Sequence, residues 1–304
     1  MKKVGIIGGA GGLGATMGFC LGSMGLFDEI RLIDIKENLA KSHAMDMDQS
    51  LSEISGALVR AGDWADLAGC GLVIMTAAVP AVKVASRNEF LEVNLKIVRA
   101  AAEEIKKYCP EAVVLTATAP IDVYNYVFHK IIGGDKQRFI GFCRNDSLRL
   151  RWAVGRVLGV DVRRVGGFVL GEHGETQVPI YSTVTVDNNP IGLSDEEIAR
   201  VEALIKNWFR DFQALDSGRT SSWTSSTSIS QVIKAIVEGS DKPVPGSAIL
   251  DGEYGQSGVS FGVPLIYGPK GWEKVLEIEL SPTEKEALAK SADLIRSLIE
   301  QCEL

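Results

Sequence analysis

Short apolar runs alternate with amphipathic stretches along the first half of the chain. The apolar runs read as strands, and the segments between them, including residues 39–49 and 89–108, have the period of a helix. Strands that are apolar along their whole length are typical of parallel sheets covered on both faces, so the alternation predicts repeated strand–helix–strand units. The predicted strands cover residues 4–8, 29–33, 72–76, 112–117 and 138–142.

The pattern changes after residue 143. A helix is predicted over residues 145–158 and an apolar strand over 165–170. Ser194 and Ser281 are each followed three residues later by glutamate, a capping box that opens helices running to about Ala214 and Cys302. Short strands broken by glycine and proline between residues 244 and 280 predict an antiparallel sheet. We therefore predict a doubly wound parallel α/β domain over 1–143, followed by an α+β domain over 144–304.

The first predicted strand runs into a cluster of glycines. Nine of the 32 glycines lie between Val4 and Phe27, a stretch without a charged side chain. A basic start and an uncharged run also occur in signal peptides and membrane anchors, but so many glycines disfavour a continuous apolar helix. No later segment is long and apolar enough to span a bilayer, so we expect a soluble chain without a membrane partner.

Gly9-x-Gly11-x-x-Gly14 follows the first strand and opens a helix. In this context the glycines permit a tight turn, a close approach of backbone to a pyrophosphate, and close helix–strand packing. Asp34 ends the second strand, where a carboxylate binds ribose hydroxyls and repels a 2′-phosphate. The pattern predicts NAD as the cofactor, although Lys36 leaves some NADP tolerance open and Asp34 alone could be a solvated residue at a strand end.

Charge and cysteine usage exclude several other classes of protein. The chain has 39 acidic and 32 basic residues, a net charge of −7, which disfavours a basic nucleic-acid surface. Its five cysteines contain no C-x-x-C pair, and only three histidines are present, so a zinc site is not expected. An odd number of cysteines in a chain of this size fits reduced thiols and a cytoplasmic protein.

Two further motifs carry acid–base and anion-binding chemistry. His173, within Gly171-Glu172-His173-Gly174, follows the strand over 165–170, where we expect it to be exposed to a ligand and suited to proton transfer near neutral pH. Asp146 and Arg149 are three residues apart on a predicted helix and therefore share one face. A loop histidine and a surface ion pair are the alternatives for these residues when each is taken alone.

Together the motifs resemble the malate/lactate dehydrogenase family over essentially the whole chain. The resemblance implies a Rossmann-type NAD-binding domain followed by a catalytic domain, and it implies a homodimer or homotetramer. The segments that carry it are the glycine loop, Leu32-Ile33-Asp34-Ile35, Ala44-Met45-Asp46, Ser86-Arg87, Asn94, Pro120-Ile121-Asp122, Asp146-Ser147-Leu148-Arg149 and Gly171-Glu172-His173-Gly174.

The family's residue roles can be carried over position by position. His173 would exchange a proton with the C2 oxygen of the substrate, and Asp146 would orient its imidazole. Arg149 would bind the substrate carboxylate, and Arg87 would close over the site and polarise the carbonyl. Ser221 would line the substrate pocket, with Thr220 as the alternative register. The implied cofactor-binding residues are Gly9, Gly11, Gly12, Leu13, Gly14, Asp34, Ala77, Asn94 and Ala119.

Three departures from the family pattern concern the substrate. Ala81 stands where malate dehydrogenases usually have arginine and lactate dehydrogenases glutamine, although Lys83 could supply a charge nearby. Ala119 replaces an asparagine that usually precedes the proline, and Asn145 replaces a leucine before Asp146. We therefore expect a pocket of altered specificity in which Asn145, or the adjacent Arg144, restores part of the missing polarity.

The sequence leaves three functions open. The first is an NAD-dependent dehydrogenase of a small 2-hydroxy acid such as malate, lactate or a relative. The second is a non-catalytic NAD(H)-binding protein, which Ala81 and Ala119 would suit. The third is an NAD-using glycosidase, a hydrolase that would need a metal site beside its cofactor.

Overall fold

The structure is a computed structural model that describes residues 2–79, 91–219 and 221–304, with residues 209 and 213 described in their backbone alone. The strands are β1 (Lys3–Ile7), β2 (Glu29–Ile33), β3 (Leu58–Gly62), β4 (Leu72–Met75), β5 (Val113–Thr116), β6 (Phe139–Gly141), β7 (Val165–Leu170), β8 (Val178–Val186), β9 (Asn189–Pro190), β10 (Val244–Asp251), β11 (Ser257–Gly268) and β12 (Gly271–Val275). The helices are α1 (Gly12–Ser23), α2 (Glu37–Leu51), α3 (Leu91–Tyr108), α4 (Ile121–Ile132), α5 (Arg144–Leu158), α6 (Asp195–Ala214), α7 (Ser222–Glu238) and α8 (Pro282–Glu300).

The parallel sheet predicted for the first half is confirmed. Strands β1 to β6 pair in parallel in the order β6-β5-β4-β1-β2-β3. Every residue of β4, β5 and β6 is buried, as expected for strands covered on both faces. The chain order reverses at β1, between β4 and β2, and such a reversal opens a crevice at the carboxyl ends of the strands.

The strands between residues 244 and 280 are antiparallel, as predicted, but they do not form a sheet of their own. β10 pairs with β6 through Ser247 and Gly141, so β10, β11 and β12 continue the first sheet to nine strands. Residues 245–250 of β10 are buried on both faces, and such a strand needs a neighbour at each edge. The separate sheet is β7-β8-β9. The division into domains at residue 143 stays a prediction.

Five elements of the structure were not predicted from the sequence. They are β3, β8, β9, α4 and α7. α7 begins in a run of serines and threonines, residues with low helix propensity, and its buried face includes Ser226 and Ser228. This helix packs against α1 and α5, so tertiary contacts stabilise what local propensity does not.

Candidate active site

The glycine loop between β1 and α1 is shaped by backbone contacts that leave no room for side chains. A Cβ on Gly14 would lie 2.2 Å from the carbonyl oxygen of Gly8, and one on Gly9 would lie 2.8 Å from Cα of Leu32. A Cβ on Gly12, by contrast, would meet nothing within 4 Å. Helix α1 starts at Gly12 with no side-chain cap and no acidic residue in its first turn. Its first N–H groups can therefore bind a phosphate.

Asp34 lies directly beside this loop. Its Oδ2 accepts a hydrogen bond from the backbone N–H of Ala10 at 3.0 Å, and its Oδ1 accepts one from the backbone N–H of Lys36 at 2.9 Å. The backbone N–H groups of Gly8 and Gly9 both donate to the carbonyl of Ile33. These bonds join the end of β2 to the glycine loop, so the Asp34 carboxylate and the loop form one unit.

Asn94 connects the two loops that follow β4 and β5. Its Oδ1 accepts a hydrogen bond from the N–H of Val79 at 2.9 Å, and its Nδ2 donates to the carbonyl of Ala119 at 3.1 Å. Thr118 donates to the carbonyl of Ala77 at 2.9 Å. The structure thus brings Ala77, Asn94 and Ala119 together, and the polar atoms of Asn94 already hold backbone groups.

His173, Asp146 and Arg149 form one cluster. Nδ1 of His173 lies 2.6 Å from Oδ2 of Asp146, and Nη1 of Arg149 lies 3.7 Å from Oδ1 of the same carboxylate. The side chains of Asp146 and Arg149 are 6% and 15% exposed, so they are not a surface ion pair. His173 is only 8% exposed, so the expectation that it is exposed at the end of the strand is wrong, and it is not an ordinary loop histidine either. Its ring is instead packed 5.9 Å, centroid to centroid, from Phe142.

The loop that carries His173 is fixed at several points. Gly171 has a φ of +86°, a left-handed conformation that favours glycine, and it exchanges two backbone hydrogen bonds with Gly262. The N–H of His173 donates to Oδ2 of Asp122 at 2.7 Å, and the N–H of Glu172 donates to Ser291 at 2.8 Å. The pKa of the Asp122 carboxyl is raised to about 7, mainly by burial and also by the Glu172 and Asp146 charges, while the hydrogen bonds from Ser247 and His173 act in the opposite direction.

The first turn of α5 is tied to α7. Nδ2 of Asn145 donates to the hydroxyl of Ser225 at 3.0 Å, while its Oδ1 is buried and has no hydrogen-bond partner among the described residues. The guanidinium of Arg144 donates to Ser228 at 3.2 Å, and burial lowers the pKa of this guanidinium. Ser221 lies one turn before Ser225, at the N-terminus of α7, and is partly buried.

Several predicted residues lie outside the described part of the chain. These are Ala81, Lys83, Ser86 and Arg87, together with Thr220, the alternative to Ser221. Within residues 2–79, 91–219 and 221–304, no group of three His, Cys, Asp or Glu side chains could hold a metal ion. No helix in that part of the chain is long and apolar enough to cross a bilayer.

Sequence reasoning missed two residues at the site. Ile35 is 96% exposed beside Asp34 and lines an open depression with residues 36–39. The signal in the sequence that could have identified Ile35 is an apolar residue directly after Asp34. Asp122 was noted only as part of a motif, because its contact with His173 joins residues far apart in sequence.

Both halves of the chain match known protein families. Residues 2–141 match the family described as lactate/malate dehydrogenase, NAD binding domain. Residues 144–303 match lactate/malate dehydrogenase, alpha/beta C-terminal domain. Together the two matches cover almost all of the sequence.

Individual relatives agree with these matches. Malate dehydrogenase of Thermoproteus tenax is 35% identical over 298 residues, 96% of each chain. Malate dehydrogenase of Geobacillus thermodenitrificans is 35% identical over 311 residues, 99% of this chain and 98% of that protein. Among solved structures, Cryptosporidium parvum malate dehydrogenase superposes with a TM-score of 0.94 at 29% identity, covering 99% of both chains. Lactate dehydrogenase of the same organism, complexed with lactic acid and nicotinamide adenine dinucleotide, gives 0.93 at 29% identity, covering 99% of this chain and 98% of that one.

Proposed function

Since the chain belongs to the lactate/malate dehydrogenase family and is an NAD-dependent oxidoreductase of a 2-hydroxy acid, we propose that His173 and Arg149 act directly on its substrate and that Asp146 orients His173. The observation that supports this assignment is the 2.6 Å contact between Nδ1 of His173 and Asp146, with Arg149 on the other oxygen of that carboxylate. A proton-transfer group and a carboxylate-binding group then stand side by side, as oxidation of a 2-hydroxy acid requires.

The imidazole of His173 exchanges the proton of the reaction. With Nδ1 held by Asp146, Nε2 is the nitrogen that accepts the proton of the C2 hydroxyl during oxidation and returns it during reduction. The Asp146 carboxylate stabilises the imidazolium that forms. NAD, when bound along the glycine loop and Asp34, supplies the acceptor for the C2 hydride.

Arg149 binds the C1 carboxylate of the substrate, for which its planar guanidinium offers paired donors. Arg87 and Ser221 complete the pocket in this proposal, Arg87 by polarising the C2 carbonyl and Ser221 by lining the wall. Gly9, Gly11, Gly12, Leu13, Gly14, Asp34, Ala77, Asn94 and Ala119 bind or position the cofactor.

The pocket has an altered specificity in this proposal, and its preferred acid is malate, lactate or a relative. Ala81 offers neither the charge nor the amide usual at its position, and the buried Oδ1 of Asn145 offers an acceptor beside Asp146. A charged hydrogen bond is worth about 1.5–3 kcal/mol, so its loss lowers preference for a second carboxylate by roughly ten- to a hundredfold. Replacing Asn145 with leucine tests the acceptor, and an unchanged kcat/KM on the best substrate would contradict its role.

One screen tests the proposed function. Oxidation of NADH is measured with oxaloacetate, pyruvate and longer or branched 2-oxo acids, for the wild type and for His173→Asn. We expect turnover of at least one acid and a loss of at least about 10²-fold in kcat for the variant. Turnover of none of these acids, with NADH still bound, would favour a non-catalytic NAD(H)-binding protein.

We also propose a cytoplasmic homodimer or homotetramer. Apolar side chains on the surface of α2 support self-association, since Leu39 and Met45 are 43% and 76% exposed. All five cysteines are free thiols, in keeping with a reducing compartment. Light scattering coupled to size exclusion measures the mass, and a monomer at micromolar concentration would contradict the proposed assembly.

A further inference from the structure

The guanidinium of Arg149 meets an aromatic side chain from another helix. Its Cζ lies 5.0 Å from the centroid of the Trp208 ring, which is carried by α6. Trp208 is itself stacked on Phe212, with ring centroids 5.2 Å apart and planes 12° from parallel. The two stacked rings therefore present a supported aromatic surface to the cation.

Arg149 has few other partners among the described residues. Its side chain is 15% exposed, and its nearest carboxylate, Asp146, lies 3.7 Å away, beyond a normal hydrogen bond. Within the three described stretches of the chain, no residue accepts a hydrogen bond from this guanidinium. A largely buried cation without hydrogen bonds is costly, and contact with an aromatic ring offsets part of that cost.

The contact with the Trp208 ring also affects how Arg149 can bind a substrate. An aromatic surface attracts a guanidinium electrostatically and takes up none of its N–H donors in conventional hydrogen bonds. The donors therefore remain available for a planar carboxylate, while the long arginine side chain is restrained before the substrate arrives. Such restraint lowers the conformational entropy that is lost on binding.

We propose that Trp208, supported by Phe212, is a positioning residue that holds Arg149 ready to bind the carboxylate of the substrate. This inference rests on the proposed function, in which Arg149 binds the C1 carboxylate. In this inference Trp208, on helix α6, contributes to substrate affinity although it does not touch the reacting atoms.

The test compares Trp208→Leu, Trp208→Phe and a matched control, Trp152→Leu. Trp152 pairs with Arg156 on the same helix, at 5.7 Å, and neither residue belongs to the proposed site. KM and kcat are measured with the best 2-oxo acid and with the corresponding 2-oxo amide, which lacks the carboxylate. The Kd for NADH is measured by fluorescence titration as a check on folding.

We expect Trp208→Leu to raise KM for the acid roughly 3- to 30-fold with little change in kcat, because the contact serves ground state and transition state alike. The kcat/KM for the amide and the Kd for NADH should stay within about twofold. Trp208→Phe should restore most of the affinity for the acid, and Trp152→Leu should have no effect.

Three outcomes would overturn the inference. They are an unchanged KM in Trp208→Leu, equal losses for acid and amide, or equal losses in the leucine and phenylalanine variants. If the wild type is active and Trp208→Leu behaves identically, only the role of Trp208 is contradicted and the proposed function stands. A wild type that reduces no 2-oxo acid contradicts the proposed function, and this inference with it.

Discussion

Oδ2 of Asp122 accepts a hydrogen bond from the backbone N–H of His173 at 2.7 Å. A carboxylate on α4, in the first half of the chain, therefore fixes a loop that belongs to the second half. Asp122 is fully buried, which raises the pKa of its carboxyl to about 7. The contact joins the position of the proposed proton-transfer residue to a group that titrates in the neutral range.

Asp122 predicts a pH dependence of stability. Because its folded-state pKa lies above the unfolded value of about 3.9, the folded protein holds the proton more tightly, and stability falls as pH rises from about 4 through about 7. Replacing Asp122 with asparagine keeps an acceptor for His173 but removes the ionisation. We expect the free energy of unfolding of the variant, relative to wild type, to increase by up to about 2.6 kcal/mol from pH 5 to pH 8.

Denaturant titrations at both pH values measure this difference. Ser260→Ala is the control for the loss of buried hydrogen bonds without a change in ionisation, because the neutral Ser260 hydroxyl bonds Ser247 and Asn125 in the same region. A difference between Asp122→Asn and wild type that does not vary with pH would contradict the prediction.

Asp146→Asn tests whether the Asp146 carboxylate serves catalysis through His173 without contributing to cofactor binding. An amide in place of the carboxylate neither stabilises an imidazolium nor fixes the tautomer of His173, so we expect kcat to fall by about 10²–10⁴-fold. The Kd for NADH should change little, since the Asp146 side chain contacts His173 and Arg149 rather than the glycine loop. Stopped-flow kinetics with fluorescence titration measures both, and a variant with nearly full kcat would refute the assigned role.

Gly12 and Gly14 predict opposite effects of the same substitution. Gly14→Ala would place a Cβ 2.2 Å from the carbonyl oxygen of Gly8, so we expect a loss of stability. Gly12→Ala meets open space and replaces a glycine in a helix, so stability should hold or rise by up to about 1 kcal/mol. If phosphate lies against Gly12, this stable variant should bind NADH at least about tenfold more weakly. Normal NADH affinity in Gly12→Ala would place the phosphate elsewhere.

Asp34 should control the choice between the two nicotinamide dinucleotides. Asp34→Asn keeps an acceptor for the N–H of Ala10 but removes the charge that repels a 2′-phosphate. We expect the ratio of kcat/KM for NADPH over NADH to rise by about tenfold or more, mainly through NADPH. Parallel assays with both cofactors measure this ratio, and an unchanged ratio would show that the carboxylate does not govern selection.

Features set by local chemistry could be predicted from the sequence. β2 and β7 have the predicted bounds, and both predicted capping boxes open helices. These features could be predicted because an apolar strand pattern and a helix cap each depend on residues that are close together in the sequence. The attachment of β10 to β6 could not be predicted, since it joins Gly141 to Ser247. The burial of His173 was missed for the same reason, because Phe142 and Asp122 reach it from other elements.

The pairing of β10 with β6 also bears on how the chain is made. Until residues near Ser247 have been synthesised, β6 is a strand whose outer backbone groups have no partner in the sheet. An open edge of this kind can pair with another chain, and the partner strand comes from far along the same polypeptide. During synthesis the nucleotide-binding half must therefore remain unaggregated with an exposed edge, and a protein truncated before β10 would keep that hazard permanently.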